Sequence, residues 1–255
     1  MTNSTIHWQT SHAAIWRSRQ EYLRAVKHID PIGLDDLLGI ETQKEQLFRN
    51  TERFMLGQGA NNTLLWGARG TGKSSLIKAV FNHFREQGLR LVEVEKSDLI
   101  YLPEIVDEIR DTEHRFIIYC DDLSFEANET EYKSLKSALE GSIELPPDNV
   151  LIYASSNRRH LLPETMQDNR DSGLVDGELH YADAIEEKIS LSDRFGLWLS
   201  FYPLSQDQYL TIVDHYFAAY DGDRVQLHRE AIRFTQSRGG ARSGRTAYQF
   251  FKYYR

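Results

Sequence analysis

Residues 63–75 read Thr63-Leu64-Leu65-Trp66-Gly67-Ala68-Arg69-Gly70-Thr71-Gly72-Lys73-Ser74-Ser75. From Gly67 to Ser74 they match the pattern of Gly, four residues, Gly, Lys and then Ser or Thr. A short apolar run precedes this glycine-rich loop, and apolar residues recur at helical spacing after Lys73. The sequence therefore predicts a strand, a glycine loop and a helix, which is the context that a phosphate-binding loop needs.

The loop carries the groups that bind a nucleotide with magnesium. Its backbone N–H groups surround a phosphate at the start of a helix, where the helix dipole favours negative charge. Lys73 is expected to contact the β- and γ-phosphates, and the Ser74 hydroxyl is expected to ligate Mg²⁺. The alternative is a glycine turn without a ligand. The strand before the loop and the helix after it favour ATP binding by residues 67–75.

Two acidic residues follow an apolar run that is typical of a buried strand. Phe116-Ile117-Ile118-Tyr119-Cys120 ends directly before Asp121 and Asp122. In open α/β folds, ligands bind at the carboxyl edge of the sheet. Asp121 is predicted to hold Mg²⁺, and Asp122 to polarise the attacking water. The alternative is a pair of solvated loop acids.

Three further residues are candidates for contacts with the nucleotide. Asn157 ends the next apolar strand and is able to bond the γ-phosphate or the attacking water. Arg194 precedes the last strand and is expected to act on a neighbouring subunit's nucleotide; a salt bridge to Asp193 is the alternative. Arg245, with Arg242 as its rival, lies near the start of the last helix and is able to reach the γ-phosphate or to stay solvated.

The elements along the chain predict two domains. Strand and helix patterns alternate over residues 30–203, which favours an α/β domain with a parallel sheet. Three helical patterns follow in residues 204–255, the first of them opened by a capping box at Ser205. Residues 1–29 are predicted to form an N-terminal helical segment. Its apolar contacts are predicted to be Trp16, Tyr22, Leu23 and Val26.

Composition limits the class of protein. The chain has 255 residues, 40% of them hydrophobic, and a formal net charge of −8. This charge argues against binding nucleic acid through bulk electrostatics alone. A single cysteine, Cys120, excludes an intramolecular disulfide, and it is expected to lie in the core. Because the sequence contains neither a secretory h-region nor a transmembrane run, a cytoplasmic location is expected.

Charge is unevenly distributed. Residues 163–188 hold eight acidic and two basic residues, a net charge of −6, and are predicted to be a loop for a partner. Arg158-Arg159-His160 forms a small basic cluster that either contacts an anionic partner or is solvated.

In their order along the chain, five of these residues resemble the functional residues of AAA+ ATPases. Lys73 corresponds to Walker A, Asp121 to Walker B, Asn157 to sensor 1, Arg194 to the arginine finger and Arg245 to sensor 2. Asp122 departs from the pattern, because glutamate is usual there. This departure places fast hydrolysis in question.

Three stretches look like one bacterial AAA+ family of uncharacterised ATP-binding proteins, related in motif style to helicase loaders. They are Leu64–Ser75, Cys120–Phe125 and Ser156–Leu161. The resemblance covers residues 30–255. It implies a five-stranded parallel sheet with a helical lid, ATP and Mg²⁺ between them, a nucleotide-dependent homo-oligomer, and an adenine pocket lined by Asp35 to Ile40.

Three functions are compatible with these features. The leading hypothesis is a Mg²⁺-dependent ATPase that remodels or loads a macromolecular partner, either protein or nucleic acid. The second is an ATP-gated binding switch with little turnover, favoured by Asp122 and the acidic stretch. The third is a small-molecule kinase, which Arg194, read as an arginine finger, disfavours.

Overall fold

The computed structural model describes residues 6–125, 131–140, 145–159, 161, 191–239 and 242–254. Within them, one sheet contains the strands β1 (Ala13–Arg17), β2 (Tyr22–Ala25), β3 (Thr63–Gly67), β4 (Leu89–Glu93), β5 (Arg115–Cys120), β6 (Val150–Ser156) and β7 (Leu197–Phe201). Their order across the sheet is β2-β1-β4-β5-β6-β3-β7. Only the β1–β2 pair is antiparallel, so the carboxyl ends of the other strands share one edge with β1.

The main helices are α1 (Glu41–Met55), α2 (Lys73–Phe84), α3 (Leu102–Ile109), α4 (Glu131–Glu140), α5 (Gln206–Tyr216), α6 (Arg224–Ser237) and α7 (Gly244–Tyr254). On one face of the sheet, Leu65 packs with Phe81 of α2 and Leu47 of α1. On the other face, Leu64 packs in a core that includes Leu135 of α4. Both faces of β3 are therefore buried, as is usual for an interior strand of a parallel sheet.

The helix predicted before residue 30 is wrong, because residues 13–25 form a β-hairpin. Trp16 and Leu23 face each other across the two strands, and both are buried. Trp16 and Leu23 are seven residues apart, a spacing that also occurs along one face of a helix. Here the spacing arises because the two residues are paired across two strands. The polar run from Ser18 to Glu21 is the turn between them, and Glu21 adopts a positive φ of 49° there. Ser18 is the one residue of this run that is common in turns, so the local sequence marks the turn only weakly.

The hairpin also corrects the expected strand count from five to seven. The five expected strands are the adjacent set β4-β5-β6-β3-β7, all parallel. β1 pairs with β4 through the register Ala14 to Val92, and β2 then pairs with β1. The hairpin thereby covers the edge of β4, whose backbone groups would otherwise lack partners.

The three C-terminal helices have a core of their own. The Ser205 side chain caps α5 by accepting a hydrogen bond from the Gln208 backbone, and the Gln208 side chain accepts one in return. Tyr209, Leu227 and Phe250 are completely or almost completely buried among α5, α6 and α7. Fully burying one such apolar side chain contributes about 1.5–3 kcal/mol. These helices therefore form a distinct packed unit after β7.

Candidate functional site

The glycine loop joins β3 to α2 and is attached to the end of β7. The backbone N–H of Ala68 donates a hydrogen bond to the Phe201 carbonyl oxygen at 3.0 Å. A Cβ atom on Gly67 would lie 1.9 Å from the same oxygen, so only glycine fits this close approach. Gly72, directly before α2, has φ of +100°, which also favours glycine. Sequence and contacts together place the loop amides at the start of α2.

Lys73 is buried and folds back along the loop. Its Nζ donates hydrogen bonds to the carbonyl oxygens of Gly67 and Ala68, both at 2.8 Å, and to Oδ1 of Asn157 at 3.1 Å. Burial lowers the pKa of the Lys73 ammonium, although the nearby carboxylates of Asp121 and Asp122 oppose this shift. Three oxygen acceptors thus hold the Lys73 ammonium beside the glycine loop, where it lines the cleft.

Asp121 lies opposite the first turn of α2. Its Oδ1 accepts hydrogen bonds from the Ser74 hydroxyl at 2.7 Å and from the Ser155 hydroxyl at 2.5 Å. Burial by itself would raise the pKa of the Asp121 carboxyl, but hydrogen bonds led by those from Ser155 and Ser74 lower it. Asp121 is therefore held as a carboxylate next to the Ser74 hydroxyl.

Asp122 and Asn157 meet at the ends of the adjacent strands β5 and β6. Asn157 donates a short hydrogen bond from Nδ2 to the Asp122 carboxylate. Asp122 has a positive φ of 51°, and its backbone N–H donates to the Ser155 hydroxyl at 3.2 Å. This backbone turn orients the Asp122 side chain towards Asn157 at the edge of the sheet.

These residues line one end of a cleft of about 770 Å³ between the sheet edge and the C-terminal helices. The polar end contains Arg69–Ser75, Asp121, Asp122, Ser155 and Asn157. The other end is mainly apolar and includes Pro31, Ile32, Leu37, Ile40, Leu204 and Ile212. Such a combination of an apolar end and a cationic, amide-rich end suits a nucleotide.

The aromatic wall of the cleft comes from the C-terminal helices. Tyr216 of α5 and Tyr248 of α7 pack against each other with ring centroids 5.5 Å apart, and both line the cleft. Asp36, Leu37, Leu38 and Ile40 also line the cleft, and the contact of this stretch with adenine stays a prediction.

The arginines predicted from the sequence separate in space. Arg245 lines the cleft, whereas Arg242 is not among the described residues that line it. Arg194 precedes β7 and so lies towards the amino edge of the parallel sheet, opposite the glycine loop. Arg194 therefore cannot complete this chain's own cleft, and its role at a neighbouring subunit's nucleotide stays a prediction. The acidic stretch 163–188 lies outside the described residues.

Sequence reasoning missed several residues of the cleft, among them Ser155, Tyr216 and Tyr248. Ser155 had a readable signal, because it is polar at the carboxyl end of a buried strand, two residues before Asn157. The two tyrosines had none, because the packing of α5 and α7 against the sheet edge brings them there.

The residues of the cleft suit the two ligands that the motifs imply, Mg²⁺ and the phosphates of ATP. The Ser74 hydroxyl and the Asp121 carboxylate are hard oxygen donors in direct contact, which suits Mg²⁺. The loop amides and Lys73 suit phosphate oxygens. Among the described residues, no helix is long and apolar enough to span a bilayer.

A parallel sheet, a glycine loop at a helix start, and carboxylate and amide side chains at neighbouring strand ends define a P-loop NTPase fold of the AAA+ type. Over residues 9–255 the chain matches the family described as "Protein of unknown function (DUF815)". The chain belongs to this family. No curated protein matches the chain in sequence.

Solved structures share the fold at low sequence identity. A point variant of RuvB from Thermotoga maritima is 15% identical, with 87% of this chain and 72% of that chain covered and a TM-score of 0.51. A DNA replication initiation factor is 15% identical, with 89% and 65% covered and a TM-score of 0.54. At this identity the likeness shows the fold, and the chain spans just under two thirds of the initiation factor.

Proposed function

We propose that this chain is a Mg²⁺-dependent ATPase that couples ATP binding and slow hydrolysis to the remodelling or loading of a macromolecular partner. The supporting observation is the convergence of Lys73, the Ser74–Asp121 pair and the Asp122–Asn157 pair at one sheet edge. The likeness to a DNA replication initiation factor favours a partner in DNA metabolism.

The residues of the cleft divide the chemistry between them. The loop amides and Lys73 bind the phosphates, and Ser74 with Asp121 holds Mg²⁺, which offsets charge on the phosphate oxygens when bound. Asp122 accepts a proton from the attacking water, which Asn157 orients. The apolar end, with Tyr216 and Tyr248, receives the base.

The same geometry argues for slow turnover. Aspartate has one methylene fewer than the glutamate usual at position 122, so its carboxylate reaches less far towards the phosphate. Productive proton transfer needs hydrogen-bond contact between base and water, so the shorter reach of Asp122 lowers the rate.

We also propose a homo-oligomer that assembles with nucleotide and acts in the cytoplasm. Within it, Arg194 neutralises charge at the cleft of the neighbouring copy. Residues 204–255 act as a lid over the domain of residues 30–203. Support for the lid comes from Ser243, directly before α7, and Arg245 in its first turn. Their side-chain atoms would lie 2.9 and 3.6 Å from a Cβ on Gly70, so the start of α7 lies against the glycine loop.

The second candidate is an ATP-gated switch without meaningful turnover. The hydrogen bond between Asn157 and Asp122 favours it, because a carboxylate that stays engaged does not activate water. Tight ATP binding without phosphate release would select this reading over the ATPase.

The test compares the wild-type protein with Lys73→Ala and with Lys133→Ala, a change at an exposed lysine of α4. ATP turnover and ATP binding are measured with Mg²⁺. Turnover that Lys73→Ala abolishes and Lys133→Ala preserves supports the ATPase. Equal turnover in all three proteins excludes it. Sizing with and without ATP, repeated on Arg194→Ala, tests the intersubunit role.

A further inference from the structure

A second surface at the carboxyl edge of the sheet contains Arg159, Trp66 and Tyr202, here called the aromatic–arginine cluster. The Arg159 guanidinium lies 5.5 Å from the centroid of the Trp66 ring. The Tyr202 ring meets Trp66 nearly edge to face, with centroids 6.1 Å apart and planes at 79°. The three residues follow or end β6, β3 and β7, which are adjacent strands.

The cluster is open to solvent and separate from the cleft. Tyr202 is 67% exposed, and Arg159 is also exposed. None of the three lines the cleft, so the proposed ATPase chemistry does not account for them. Trp66 nevertheless directly precedes Gly67, which joins the cluster to the glycine loop through one peptide bond.

We propose that the aromatic–arginine cluster binds single-stranded nucleic acid. A base stacks on the exposed face of Tyr202, since every base has a π-face and stacking tolerates any sequence. The Arg159 guanidinium, held over Trp66 by a cation–π contact, pairs with the adjacent phosphate. Arg158, also exposed, adds a second cation at the end of the same strand.

Size and chemistry favour this partner over a protein or a duplex. A stable protein–protein interface buries about 800 Å² on each side, more than three side chains provide. A base needs only one accessible ring. In a duplex the base faces are already stacked, so a stacking platform prefers a single strand. Exposed tyrosine beside arginine is the combination that single-strand binding uses.

The affinity for a single strand should depend on salt concentration in a predictable way. With a formal net charge of −8, the chain lacks the bulk attraction that would draw in a polyanion. Two arginines pairing with two phosphates predict a slope of log K against log salt of about −1.4 for a single strand. A much steeper slope would indicate diffuse electrostatic binding elsewhere on the surface.

This inference rests on the proposed function only because it names the macromolecular partner. Separate experiments test strand binding and ATP turnover, so either one can be disproved without the other. Strand binding is measured without nucleotide, whereas ATP turnover is measured without a strand. A protein that binds the strand through the cluster but lacks turnover keeps this inference and loses the ATPase. The converse result keeps the ATPase and overturns this inference.

The experiment titrates the full chain into a fluorescein-labelled oligothymidylate strand and follows fluorescence anisotropy. Tyr202→Ala and Arg159→Ala are each expected to weaken binding about tenfold, whereas Tyr202→Phe, which keeps the ring, binds like wild type. Tyr253→Ala and Arg49→Ala are matched controls, because Tyr253 is 73% exposed and Arg49 lies in an exposed ion pair on α1. These controls are expected to bind normally.

Three results overturn the inference. The wild-type protein does not bind the strand, or the cluster variants bind as tightly as the controls, or labelled duplex binds as tightly as the single strand. If Tyr202→Ala and Arg159→Ala instead abolish ATP-dependent assembly while strand binding is absent, the cluster is an interface between copies of the chain. Circular dichroism of each variant establishes that it remains folded.

Discussion

Asn157 donates a hydrogen bond from its side-chain amide to the carboxylate of Asp122. Its oxygen at the same time accepts a hydrogen bond from Lys73 at 3.1 Å. One amide therefore connects the cation of the glycine loop with the carboxylate proposed to activate water. When Lys73 turns to a phosphate, Asn157 loses one of its two partners, and the position of Asp122 becomes sensitive to the nucleotide.

Replacing Asn157 with alanine tests this connection. Asn157→Ala removes the group that orients Asp122 and water, so we expect turnover to fall roughly a hundredfold. ATP binding should change little, because the loop amides and Lys73 remain. Turnover numbers and dissociation constants for ATP, measured on the same preparations, separate the two effects. A loss of binding equal to the loss of turnover would assign Asn157 to phosphate binding instead.

Lengthening the Asp122 side chain should accelerate hydrolysis. In Asp122→Glu the extra methylene brings the carboxylate closer to the attacking water, and we expect turnover to rise about tenfold. Asp122→Asn keeps the size of the side chain but removes the base, so its turnover should be lost. Phosphate release under saturating ATP measures both. If the glutamate variant is slower than wild type, Asp122 is adapted to its present position or has no role as a base.

Much of the cleft was predictable, because its signals are local. The spacing from Gly67 to Ser74 and the apolar runs before Asp121 and before Asn157 mark three strand ends. Parallel strands bring such ends to a common edge, so local patterns determine a three-dimensional site. Lys73, Asp121 and Asn157 accordingly lie within one set of hydrogen bonds, in which the Asp122 backbone N–H donates to Asp121.

The features that the sequence did not predict depend on contacts between distant parts of the chain. Tyr248 enters the cleft because α7 packs against α5, a relationship absent from the local pattern around either helix. Residues 13–25 were predicted as a helix because Trp16 and Leu23 are seven residues apart. This spacing fits one face of a helix as well as two paired strands. The pairing register of the two strands distinguishes a hairpin from a helix, and the periodicity of apolar residues along the chain does not reveal that register.

The single cysteine should be unreactive in the folded protein. Burial raises the pKa of the Cys120 thiol to about 12, so at pH 8 only on the order of one thiol in ten thousand is a thiolate. We expect a disulfide reagent such as dithionitrobenzoate to leave the native protein unlabelled at pH 8. In denaturing urea the same reagent should label one thiol per chain. Rapid labelling of the native protein would contradict the buried position of Cys120 at the end of β5.

The close approach of Gly67 to Phe201 makes the start of the glycine loop sensitive to a single methyl group. In Gly67→Ala the new Cβ would lie 1.9 Å from the Phe201 carbonyl oxygen, and the residue would retain a φ of +132°, which disfavours any side chain.

To relieve this clash, either β7 or the loop must move. We expect the free energy of unfolding to fall by roughly 1–3 kcal/mol. ATP binding should weaken as well, because the Ala68 amide that bonds Phe201 belongs to the same loop. Gly59→Ala is the matched control, since its Cβ would meet no atom within 4 Å. Urea unfolding and ATP titration of both variants measure the two effects. Equal free energies of unfolding for the two variants would contradict this prediction. They would show that β3 and β7 can move apart at Gly67 without a loss of stability, and that their pairing does not position the loop.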